Sequence, residues 1–366
     1  MTDRLAEAAL PIFARHETFQ PRYGWFRKAV QAAQRSPTAF TSDDATVELG
    51  VGKNMVRAIR FWGSAAKLLA VPANSVNPRG GSVAPSINGV AMFDEDHGLD
   101  PYAELSGTGW VLHWWMLRPP SDLPVWWLAL QRFNAVEFTE DELVAFVVSE
   151  IERSGWLGPN HSSIRKDVSC FLRMYTRQMS SRGPLEELID CPMRELGLLE
   201  AVRGEQHRYR FVLGSKPTLP DLVLAYACLD WMSFRGSSAQ TVGVRELAVT
   251  TGGPGRAFRI TETEIVEGLG RASKLLPSVS LTSAAGVPQL ISSGPPAATA
   301  SDALGAYYRP DGHRAGLQIA LGDGPYENSE KSESNIRNRR GRRDGGEDQR
   351  LDPATVGART PITGAF

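Results

Sequence analysis

The stretch "LGVGKNMVRAIRFW", Leu49 to Trp62, holds Gly50, Gly52 and Lys53 in an order that suggests a phosphate-cradling loop. A P-loop needs G-x-x-x-x-G-K-[ST], because backbone amides hold the phosphates while a hydroxyl after the lysine holds Mg²⁺. Here Val47 stands where the first glycine belongs and Asn54 where the hydroxyl belongs, so the nucleotide reading fails twice. His16, Glu17 and His161 have the right chemistry for general acid–base work and are the candidate catalytic groups, though each reads also as a simple cap. "FDEDHGLD", Phe93 to Asp100, is acidic but lacks calcium-loop spacing, and reads as a solvated turn. "TGGPGRAFRITE", Thr251 to Glu262, reads equally as a phosphate-holding loop through its amides and as a plain turn. No G-x-S-x-G or G-x-G-x-x-G is present.

The same opening stretch reads better as helix-turn-helix, with Asp43–Leu49 as the first helix, Gly50 in the turn and Lys53–Leu69 as the second helix. At helical spacing Lys53, Arg57, Arg60, Ser64 and Lys67 share one direction, while Met55, Ile59, Trp62, Ala66 and Leu69 lie opposite. One face packs and the other is cationic. Between Arg15 and Lys67 nine Lys/Arg face four acids, an excess that the near-neutral chain does not share. A merely solvated face mixes signs more evenly. A second helix, Ile164 to Arg177, repeats the pattern with Lys166, Arg173 and Arg177 on one line. Two such faces predict a nucleic-acid footprint made of several phosphate contacts.

The positioning elements follow from periodicity. Trp25, Phe26, Ala29, Val30 and Ala33 predict a helix after Pro21, and Ser42 suits the N-cap of the next short one. "WVLHWWML" and "VWWLALQRF" predict buried aromatic segments rather than base-stacking platforms. Thr139 and Glu142 form a capping-box pattern before a helix reaching Arg153. "LGLLEAVR" and "HRYRFVL" predict a β-hairpin, and Thr218 with Pro220 opens another helix through Trp231. Helix, helix, hairpin is the order of a winged helix. No internal repeat is visible. The expected fold is mainly α with small β-hairpins: a helix-turn-helix-like module at 1–75, a winged-helix-like middle module at 90–235 and a small module at 236–276. An irregular, largely disordered tail is expected from 277 to 366.

Composition sets the class. The 366 residues are 42% hydrophobic and carry a formal net charge of -1, so an anionic partner must be met by a local patch. Three cysteines without CxxC spacing argue against a disulfide framework and a structural zinc site. The absence of a leader pattern or a long apolar run places the chain in the cytoplasm.

The segments "RHETFQPRYGWFRKA", "LGVGKNMVRAIRFW", "SSIRKDVSCFLRMY", "DCPMRELGLL", "KPTLPDLVLAYACLDW" and "GGPGRAFRI" occur in one order from Leu10 to Leu275. Together they resemble the SspB-like family of DNA phosphorothioation systems, a former domain of unknown function encoded beside PAPS-reductase-like enzymes. The resemblance implies a DNA-acting component, described as a nickase, that works with a cysteine desulfurase, an ATPase and an ATP-pyrophosphatase-type sulfur-transfer enzyme in bacterial defence. A nickase would call for Mg²⁺ or Mn²⁺. The motif positions carried over are His16, Glu17, Arg22, Tyr23, Lys53, Asn54 and Arg57. The expected DNA-binding set is Arg22, Lys53, Asn54, Arg57, Arg60, Lys67, Lys166, Arg173 and Arg177. The alternatives are a non-catalytic DNA adaptor for the PAPS-reductase-like partner and a transcriptional regulator.

Overall fold

The computed structural model describes residues 4–72, 81–177, 191–205, 207–235 and 239–309. Within them the chain is α+β, mainly helical with small sheets. After a one-turn helix α1 (Leu5–Ala8), helix α2 (Trp25–Arg35) buries the predicted Trp25, Phe26, Ala29, Val30 and Ala33. It packs on α4 (Lys53–Ala65) across a short α3 (Ala45–Leu49), which Gly50 ends in the left-handed conformation. α3 starts two residues later than expected, with Asp44 rather than Ser42 at its N-cap. α2 and α4 approach so closely that a Cβ on Gly63 would lie 2.8 Å from Ala29 Cβ.

Three stretches of the chain place helices before an antiparallel strand pair. In the first, α3 and α4 precede the antiparallel strands β1 (Leu69–Ala70) and β2 (Ala84–Pro85). Next come α5 (Ile87–Phe93), α6 (Ser106–Leu117) and α7 (Pro124–Trp127), the last running into a π-helical turn at Leu128–Arg132. Trp110, Trp114, Trp115, Trp126 and Trp127 of these segments are at most 1% exposed, the core role expected of them.

In the second stretch, β3 (Glu137–Thr139) leads into α8 (Glu140–Ser154), whose Thr139–Glu142 capping box forms as expected. α9 (His161–Tyr175), β4 (Thr176–Arg177) and a 3₁₀ turn at Pro192–Leu196 follow. The predicted hairpin is β5 (Leu199–Ala201) with β6 (Arg208–Phe211), and β6 also pairs β3, giving the order β3-β6-β5-β4.

After the buried helix α10 (Asp221–Phe234), the third stretch runs β7 (Thr241–Gly243), α11 (Val244–Val249), α12 (Pro254–Phe258), α13 (Glu262–Leu275), β8 (Val279–Ala284) and β9 (Val287–Ser292). Its sheet order is β7-β9-β8. α14 (Pro296–Tyr308) then packs on α10.

The ordered chain up to Tyr308 corrects the expectation of an irregular segment from residue 277. β8 and β9 join through Ala285 and Gly286, with φ of 51° and 82°. A two-residue turn with both φ positive matches strand twist, but Ala-Gly does not advertise it as Asn-Gly would. α14 is rich in alanine and small residues, so its burial comes from a close fit rather than a bold apolar stripe. The expected disorder beyond residue 309 lies outside the described residues.

Candidate nucleic-acid interface

α4 exposes Lys53, Asn54 and Arg57, leaves Arg60 half-buried, and turns Val56, Ile59 and Trp62 into the core. Its N-cap is Gly52, which offers no side chain to the first-turn amides. Those amides and the positive end of the helix dipole are therefore available to an anion. Lys53 has no carboxylate partner among the described residues, and Arg57 Nη1 meets only Glu17 Oε1, at 3.6 Å.

Lys67 is a correction. The helix ends at Ala65, and Lys67 takes φ 59°, which breaks the helical phase that had aligned it with Lys53. It is 5% exposed and donates through Nζ to the Pro120 carbonyl at 2.8 Å. Burial lowers its pKa to about 7, against the opposing pull of Asp122. Lys67 belongs to the interior, beside the buried ion pair of Arg118 and Asp230.

α9 exposes Lys166 and Arg173 and buries Ile164, Val168, Phe171 and Leu172. Arg177 is exposed but stands in β4, past the end of α9, so helical phase does not carry it. Arg165 is paired with Asp141 at 2.7 Å and Glu140 at 3.9 Å. His161 is exposed as the first residue of α9, beside the Asn160 side chain that accepts from Ser162 N. Arg22 sits near the start of α2, its guanidinium 5.8 Å from the Trp25 ring centre.

The loop Ala14–Thr18 joins these two helices. His16 is 1% exposed, packed among Phe61, Trp62 and Trp126. Its Nε2 lies 2.6 Å from Asp167 Oδ1 of α9, which also accepts from Ala14 N at 2.9 Å. Burial raises the Asp167 pKa, while the bond to His16 opposes the rise. Arg173 donates to the Thr18 carbonyl at 2.6 Å, and Trp62 donates to the Phe19 carbonyl at 2.9 Å. Ala14, Glu17 and Thr18 all have positive φ, a conformation that persists only where the surroundings enforce it.

The loop thus contributes to two neighbouring clefts. One, of about 450 Å³, collects Arg15 and Glu17 from the loop with Arg57, Arg60, Phe40 and Phe61. The other, of about 400 Å³, collects Thr18 with Lys166, Arg173 and Glu140. Burial lowers the Arg60 pKa, and the charge of Arg15 lowers it further. Of the candidate catalytic groups, His16 is inside the protein, Glu17 lines the first cleft, and His161 is on neither cleft. Arg15 and Phe61 also line the first cleft, and the sequence reading does not single them out. Their signal was adjacency, one to His16 and the other to Arg60.

The Thr251–Glu262 segment does not present an anion loop. Arg256 donates to the Gln131 and Val249 carbonyls, and Arg259 to the Ala129 carbonyl. Gly252 N is taken by Gln131 Oε1 at 2.9 Å. The segment clamps the end of the π-helical turn. Among the described residues, the acidic Phe93–Asp100 turn uses Asp94 and Asp100 to accept backbone amides, and no group of three or more His, Cys, Asp or Glu is placed to hold a metal. No described helix is long and apolar enough to cross a membrane.

A family model described as a protein of unknown function, DUF4007, matches residues 13–308. The fold is similar to a crystal structure of SspB with a TM-score of 0.80 and 38% sequence identity, covering 92% of this chain and 99% of that one. A crystal structure of magnesium ion-bound SspB gives a TM-score of 0.79 and 37% identity, covering 93% and 100%. No curated protein matches the chain.

Proposed function

Because the chain belongs to the DUF4007 family and is similar over nearly all its length to SspB, we propose that it is the DNA-binding component of a DNA phosphorothioation system. The observation that carries this is the Ala14–Thr18 loop, which brings the cations of α4 and α9 onto adjoining clefts. DNA affinity comes chiefly from phosphates, and a protein of net charge -1 must concentrate its cations to use them.

The three stretches with helices followed by a strand pair are read as winged-helix-like modules. In the first, α4 is the recognition helix, because such helices enter the major groove by their N-terminal residues. Asn54 is the base reader there, since an Asn amide matches adenine's paired acceptor and donor. Lys53, Arg57 and Arg60 position the helix on phosphates, and Arg22, Lys166, Arg173 and Arg177 extend the track. The partners are the PAPS-reductase-like ATP pyrophosphatase, cysteine desulfurase and ATPase of the same system.

Charge reversal tests the surface. Lys53→Glu with Arg57→Glu, both at exposed positions, should leave melting nearly unchanged, while the log-log salt slope of DNA binding falls by roughly two units, one per phosphate contact. Wild-type binding across the whole titration would remove α4 from the interface.

A second reading, DNA nicking, is favoured by the magnesium ion bound in one SspB structure. The described side chains do not assemble a three-ligand metal centre, and Glu17 is the candidate catalytic group that lines a cleft. Supercoiled plasmid incubated with the protein, its sulfur-transfer partners and Mg²⁺ or Mn²⁺ separates the readings: relaxation supports a nickase, and its absence the adaptor. A regulator would instead protect one discrete operator in footprinting.

A further inference from the structure

We propose that the cleft between the Ala14–Thr18 loop and α4 receives a single unstacked nucleotide of the bound DNA, its phosphate held by Arg15 and Arg60 and its base against Phe61. The inference rests on the DNA-binding reading and adds a ligand and a place for it.

Charge is the first argument. Arg15, Arg57 and Arg60 line one cleft with a single carboxylate, Glu17, which already faces Arg57 at 3.6 Å. Arg15 and Arg60 are close enough to repel, and among the described residues neither has a carboxylate partner. The half-buried Arg60 leaves its Nε without a hydrogen bond. A phosphate supplies both the missing charge and the missing acceptors, and a guanidinium pair suits its oxygens.

Shape is the second argument. Contact with a duplex backbone needs only a cationic surface, whereas this half-open cleft offers about 450 Å³, within the range that takes a nucleotide-sized ligand. Phe40 and Phe61 give it aromatic walls beside the cations. Phe61 is only partly buried, and its ring is braced by Trp62 at 5.3 Å and His16 at 6.2 Å between centres. A braced, partly open ring among arginines is how proteins stack bases without reading their sequence. The buried His16–Asp167 pair fixes the loop that carries Arg15, so one wall of the cleft is positioned from α9. An extruded nucleotide is also the geometry by which proteins gain access to atoms that a duplex hides.

The test uses the full chain and fluorescence anisotropy with two probes of one sequence, a continuous duplex and the same duplex carrying a one-nucleotide bulge. Wild type should bind the bulged probe about tenfold more tightly, the effect of one base–aromatic stack. Phe61→Leu should erase that preference without changing the salt slope on the continuous duplex. Arg15→Gln, at an exposed position, should reduce the preference several-fold and serves as the decisive variant if Phe61→Leu melts early. Equal affinity of wild type for the two probes, or full preference in the variants, overturns the nucleotide site while leaving duplex binding intact. Failure to bind either probe would instead defeat the DNA-binding reading on which it depends.

Discussion

α4 and α9 are built on one plan and held in different ways. Each buries an apolar stripe and shows cations opposite it. α9 is tied along its length: Asn160 caps its start, Arg165 pairs with Asp141, Asp167 meets His16 in the interior, and Tyr175 meets His113. α4 has no side-chain cap, and its exposed Lys53 has no carboxylate partner among the described residues. The difference teaches that a cationic face alone does not identify a binding surface. Arg173 of α9 is already bonded to Ser169 and the Thr18 carbonyl, so that face lends less to an anion, whereas Lys53 and the first-turn amides of α4 are left over and have electrostatic work still to do.

The largest expected effect falls on the scaffold. Asp167→Ala leaves both His16 Nε2 and the Ala14 amide without their acceptor and should lower unfolding free energy by about 2–6 kcal/mol in urea titration, at about 1–3 kcal/mol for each buried group left unpaired. A loss below about 1 kcal/mol would show that α9 does not depend on the loop.

The next effect is on pH dependence. His113 is fully buried, with the Ala257 carbonyl accepting from its Nε2 at 2.9 Å, so Nδ1 accepts from the Tyr175 hydroxyl at 2.8 Å. Burial lowers its pKa from 6.5 to about 4, outweighing the backbone bond. A depressed folded-state pKa gives stability that is complete above pH 6.5 and lost as pH falls towards 4, amounting to about 3 kcal/mol. His113→Gln should flatten that part of the stability–pH curve. An unchanged slope between pH 6.5 and 4 would exclude His113 as its source.

Smaller effects separate the two helices directly. Lys53→Gln should cut the salt slope of DNA binding by about one unit, and Lys166→Gln by less. Equal cuts would erase the contrast between α4 and α9. The smallest effect is expected from Lys67→Met, which touches the interior alone and should leave the salt slope unchanged. A reduced slope would return Lys67 to the surface.

Particular residues show how far the sequence carries. The basic face of α4 was legible through Arg60, because helical period depends only on local geometry. It failed at Lys67 because a left-handed residue after Ala66 resets the phase, and such a residue is set by packing rather than by its own type. The Thr139–Glu142 capping box was legible for the same local reason, whereas the Ala285–Gly286 turn and the alanine-rich α14 lack bold local signals. The role of His16 was not legible, since its partner Asp167 lies 151 residues away.

What the sequence determined by itself, therefore, is what repeats within a few residues: the apolar stripes, the Thr139–Glu142 cap, the β5–β6 hairpin and the local excess of positive charge. The tertiary structure alone decided which cations share a cleft and which are enclosed. It brought Arg15 to Arg57 and Arg60, gathered Thr18 with Lys166 and Arg173, and took Lys67 inside. The physical reason is range. Helical phase and capping act over one or two turns, while electrostatic complementarity depends on distances that only the packed chain sets.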